Sequence, residues 1–187
     1  MKGFKDYNDF ALCTMEENLK AAHICLTTPK DNVKKSCYGM SAIILLSSVI
    51  DSLGMFYRNG LSISKITEND IKNKKMGTTY QHFKAFHTKF LVGKCSQHFF
   101  IGTYYDFVRC RATHNNVLGP KINITINKST NGKVFEKKHK RAATMVYLNE
   151  LYTLVENAYM CFKKENGVDF QEKIQPTTGT TIDYRLV

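Results

Sequence analysis

Proline is scarce in this 187-residue chain, with three positions. A proline-poor sequence that is 43% hydrophobic and 12% aromatic has the balance of a globular fold rather than of a disordered chain. No glycine-rich stretch has the spacing of a phosphate-binding loop, and no segment repeats, which excludes nucleotide folds built on such loops and repeat architectures. The six cysteines, Cys13, Cys25, Cys37, Cys95, Cys110 and Cys161, form no C-x2-C pair or Cys/His cluster, so the spacing of a structural zinc site is missing. His82, His87 and His98 also lack ligand spacing, and the expectation is a protein without metal or cofactor. The opening MKGFKDYNDFALCTMEEN has no apolar stretch and carries acids early, unlike a secretory signal. A cytoplasmic location with reduced thiols is therefore expected.

Long apolar runs are also few. From Ser36 to Tyr57 the one charge is Asp51, over a length that nearly spans a bilayer. Three serines between Ser41 and Ser48 and an acid inside the run are costly in lipid, so the segment reads as a helix buried in a protein core, with no membrane partner. Elsewhere the chain is basic, with a net charge of +11, and a surface of that sign attracts polyanions such as RNA, DNA or anionic headgroups.

Apolar residues at intervals of three and four predict helices over about 7–26 (Leu12, Met15, Leu19, Ala22, Leu26), 37–57, 80–91, 96–115 and 144–165. Between them, 61–79 reads as a polar, lysine-rich connection. The alternation in KINITIN, with the turn pair Asn131-Gly132 before KVFEKK, predicts a small β-hairpin near 121–138. The fold class is thus mostly all-α: one domain over 1–170, a bundle of four to five helices with a hairpin insertion, followed by a loose tail over 171–187.

Chemistry concentrates in Tyr104-Tyr105-Asp106-Phe107-Val108-Arg109-Cys110-Arg111-Ala112-Thr113-His114. Arginine is permanently charged and forks onto phosphate; histidine titrates near neutrality and moves protons. Arg109 and His114 stand in an R-x4-H spacing at a helix end, and here the sequence resembles the HEPN family. The likeness runs over most of the chain: long helices precede the motif, one buried and carrying Asp51, and another helix follows it. It implies a helical bundle, a homodimer with a composite site, and metal-independent RNA cleavage. Arg109 would hold the scissile phosphate and His114 would act as acid or base on the ribose 2′-OH or the departing 5′-oxygen, leaving 2′,3′-cyclic phosphate ends. It also implies a toxin or defence setting, with a cognate antitoxin or regulatory protein as a further partner.

Cys110 departs from the family pattern, which usually has Asn, Asp or His after the arginine. On an ideal α-helix five residues advance about 140° around the axis and about 7.5 Å along it, so arginine's reach and a helix end must bring the pair together. Tyr104 and Tyr105 are candidates for stacking on a base, and Arg111 with Lys137, Lys138 and Arg141 for tracking an RNA backbone. Asp51 either hydrogen-bonds the arginine or is satisfied by another neighbour. Two further readings stay open: a non-catalytic RNA- or nucleotide-binding module, and a helical protein-interaction domain in which Arg109 pairs with Asp51 as structure.

Overall fold

Apolar side chains placed three and four apart can be buried together on one helix face, and most of this molecule is built that way. The computed structural model describes residues 7–28, 38–58, 78–115, 117–137 and 142–165. Its long helices are α1 (Tyr7–Thr27), α2 (Gly39–Arg58) and α3 (Thr79–Phe90). Three consecutive pieces then form one continuous motif helix: α4 (Gln97–Phe99), a π-helical stretch π1 (Phe100–Cys110) and α5 (Arg111–Asn115). A small sheet and a last helix, α6 (Leu148–Glu165), follow. The protein is mostly helical with a three-stranded sheet.

The stripe of α1 is buried as its spacing predicts, from Leu12 at 2% exposure to Leu26 at 7%. In α2 the side chains of Ala42, Ile43, Leu46, Val49, Ile50, Leu53 and Phe56 have no exposed surface, because α1, α3 and α6 pack around it. Burying each large apolar side chain contributes about 1.5–3 kcal/mol. Among the described residues α2 is the one helix long and apolar enough to cross a membrane, and 56% of its apolar window is buried inside the protein. Gly54 sets the approach of α2 to α3: a Cβ there would run into the His82 carbonyl.

Local signals fix where α3 and the motif helix start. Thr78 accepts from the Gln81 N–H while the Thr78 N–H donates to Gln81 Oε1 at 3.1 Å, a capping box that satisfies two otherwise orphaned donors. Ser96 Oγ accepts from the Phe99 N–H at 3.1 Å. Phe100, Tyr104, Val108 and Ala112 then face inward together, against Phe83 of α3 and Phe135 of the sheet.

The sheet corrects the expected hairpin. Strands β1 (Ile122–Thr125), β2 (Phe135–Glu136) and β3 (Thr144–Tyr147) lie in the order β1-β3-β2. β3 pairs parallel with β1, Ile122 facing Thr144, and antiparallel with β2, Phe135 facing Val146. β1 and β2 are not neighbours, so the turn at Asn131-Gly132, with Gly132 at φ 66°, does not close a two-stranded hairpin. β3 also takes the first four residues of the expected last helix. Thr144 and Val146 are buried while Met145 and Tyr147 are half-buried, the two-residue alternation of a strand, and α6 begins only at Leu148. The expected connection over 61–79, apart from Thr78 and Thr79, the basic residues Lys138 and Arg141, and the tail over 171–187 lie outside the described residues.

Candidate functional site

The motif helix brings Arg109, Cys110, Arg111 and His114 to one end of the bundle. π1 differs from the ideal α-helix on which the spacing was laid out, because each N–H reaches five residues back rather than four. Positions five apart in such a helix lie more nearly on one line. Arg109 sits in its last turn and His114 in the α-helical turn that follows, so most of the path between them keeps the offset of an α-helix.

Arg109 is half-buried. Its guanidinium lies over the Tyr105 ring, 5.9 Å from the centroid, and its Nη1 is 3.9 Å from Cys110 Sγ. It makes no ion pair among the described residues. A guanidinium positioned by an aromatic ring but not neutralised by a carboxylate has its forked donors available to an anion. His114 is exposed at the helix end, and Arg111, also exposed, lies over Phe107 at 5.5 Å. Two arginines and a histidine thus crowd one helix end.

The two tyrosines of the motif separate. Tyr104 is a core residue, with no exposed surface, which removes it from the candidates for touching RNA. Its hydroxyl shares a hydrogen bond with Ser47 Oγ at 2.9 Å, and its ring stacks on Phe100 at 5.5 Å. Burial pushes the hydroxyl well above the ordinary phenol range, against the pull of Ser47 and of the Arg109 charge, so it stays protonated. Tyr105 is half-buried beside Arg109. Burial and the Cys110 thiol raise its hydroxyl, while Arg109 acts the other way, so it offers a neutral ring.

Asp51 is satisfied from another helix. Its Oδ1 lies 2.7 Å from His82 Nδ1, and its Oδ2 accepts from Thr79 Oγ1 at 3.4 Å. The expected alternative, a pair between Asp51 and Arg109, is not formed, because α3 supplies both partners across its close contact with α2. Asp51→Ala would remove the carboxylate that meets Nδ1 of buried His82 and is expected to destabilise the protein by about 1–3 kcal/mol. Asp51→Asn, which keeps an acceptor, should recover part of that loss; urea denaturation of both variants measures it.

Lys137 is exposed just beyond β2. Sequence reasoning missed Tyr80, whose ring meets Tyr105 edge to face at 5.6 Å, and Lys84, whose Nζ lies 4.7 Å from the Tyr80 centroid. The signal was present, since Tyr80/Lys84 and Tyr105/Arg109 share one four-residue spacing. No family model, curated protein or solved structure matches the chain.

Proposed function

We propose that this protein is a metal-independent endoribonuclease of the HEPN type, working as a homodimer. The observation that carries the reading is Arg109: a guanidinium seated on Tyr105, in no ion pair among the described residues, and five residues before an exposed histidine on the same continuous helix. In the reaction, Arg109 forks onto the scissile phosphate and offsets the charge that develops as the 2′-oxygen attacks. His114 takes the 2′-OH proton or protonates the 5′-oxygen as it leaves. The RNA supplies its own nucleophile, and the products carry a 2′,3′-cyclic phosphate and a 5′-hydroxyl. π-helical turns within a helix are frequent at functional sites, and the winding of π1 next to Arg109 supports the placement. Val117, 49% exposed just after the motif helix, offers an apolar contact where a second copy would add its own arginines.

One observation favours a second reading, a non-catalytic RNA-binding module. Next to the guanidinium, besides Tyr105, lies the Cys110 thiol, a weak hydrogen-bonding group that does little to orient a reacting phosphate. Labelled single-stranded RNA incubated with the protein in EDTA separates the two. The ribonuclease reading expects cutting, and expects one 2′-deoxy nucleotide to block the cut at its own 3′ side. Intact RNA bound in a salt-sensitive complex would favour the module.

A further inference from the structure

We infer that the groove between α3 and π1 holds an unpaired nucleobase of the RNA strand that Arg109 grips, with Tyr80 as stacking platform and Lys84 as phosphate contact. The inference rests on the RNA reading above and gives the neighbouring nucleotide a place. Two adjacent helices each carry a tyrosine followed four residues later by a cation, Tyr80/Lys84 on α3 and Tyr105/Arg109 on π1. Each cation lies over its own ring, and the rings meet each other. A ladder of cation, ring, ring and cation therefore leads from Arg109 on π1 across to Lys84 on α3. Tyr80 is 39% exposed, so its ring faces solvent as well as its neighbour. Rings alternating with positive charge suit a single strand, whose bases have stacking faces and whose backbone is anionic.

Past Tyr80 the surface opens into a groove of about 350 Å³, lined by Tyr80 and Lys84 on one side and Gln97, His98, Gly102 and Asp106 on the other. Ile101 also lines it, and at Gly102 the wall is bare, since a Cβ there would meet nothing within 4 Å. Gln97 and His98 offer hydrogen bonds to a base edge. Asp106 repels phosphate, so the backbone passes on the Lys84 side and the base turns inward. A duplex cannot enter this way, because its bases are already paired and stacked.

The test uses His114→Ala protein, so that RNA stays whole, and a short single-stranded RNA containing 2-aminopurine, whose fluorescence falls on stacking. Binding with quenching is expected. Tyr80→Ala should weaken it by about tenfold or more and abolish the quench, and Tyr80→Phe should restore both. Gly102→Leu, which fills the groove where the protein leaves room, should also weaken binding without lowering the melting temperature. Lys84→Ala should reduce the salt dependence by about one ion. Neither Tyr80→Ala nor Gly102→Leu should affect the same sequence annealed as a duplex. Unchanged binding and quenching in those two variants would overturn the inference and leave cleavage by Arg109 and His114 standing. Single-strand binding that depends on Tyr80, in a wild-type protein that never cuts, would support the inference and defeat the ribonuclease reading. An absence of any RNA binding would overturn both.

Discussion

Arg109→Ala and His114→Ala should each slow RNA cleavage by at least about 100-fold while moving the melting temperature by no more than about 2 °C. The two halves of that expectation have separate causes. Arg109 supplies a charge-assisted fork to a phosphate whose charge grows in the transition state, and His114 supplies the proton transfer. Removing either takes away an interaction that matters most at the transition state. Neither residue holds the fold together: His114 is exposed, and Arg109 makes no ion pair among the described residues. Arg109→Lys keeps the charge but loses the fork, and should recover only part of the rate. Single-turnover cleavage and a melting curve on the same preparations measure both halves. A fall of many degrees in Arg109→Ala, with no RNA phenotype, would instead favour a protein-interaction domain.

Tyr104→Ala should be the most damaging change in the motif, costing about 3–5 kcal/mol. At roughly 2–4 °C per kcal/mol for a protein of this size, the melting temperature should drop by about 10 °C or more. The ring stands between Phe83, Phe100 and Phe135, where a cavity would lose contacts on every side. Tyr104→Phe keeps the ring and removes one hydroxyl from a buried pair, leaving Ser47 without that partner, for about 1 kcal/mol. Tyr105→Ala, one residue along, should melt close to wild type and show its effect on RNA instead. Denaturant unfolding of the three variants distinguishes them, and equal losses for Tyr104→Ala and Tyr105→Ala would contradict the division of labour between the rings.

The helices were legible because burial and helical period are the same signal: the stripe on α1 and the apolar breadth of α2 follow from spacing alone. The inward set of the motif helix, Phe100, Tyr104, Val108 and Ala112 at every fourth residue, does not stand apart from its neighbours in the sequence: Tyr104 and Tyr105 are equal candidates for RNA until burial separates them. The sheet was less legible than the helices. The turn at Asn131-Gly132 is a local property and was read correctly, but the partner of both flanking strands is Thr144–Tyr147. That choice is made by long-range packing. Four residues with Val146 and Leu148 close by read equally as the start of an apolar helix stripe. The π winding beneath Arg109 left no mark in the spacing. Nor did Asp51 name its partner, because His82 reaches it from a different helix. The ladder from Tyr80 to Arg109 needed two helices to be placed side by side before its repeated spacing meant anything.

The central claim is chemical, and product ends test it most directly. Wild type, Arg109→Ala and His114→Ala should be incubated in EDTA with single-stranded RNA, and the termini of any fragments identified. The account predicts fragments from wild type alone, each upstream piece ending in a 2′,3′-cyclic phosphate and each downstream piece starting with a 5′-hydroxyl. Fragments with 3′-hydroxyl and 5′-phosphate ends, or equal cutting by all three proteins, would contradict it.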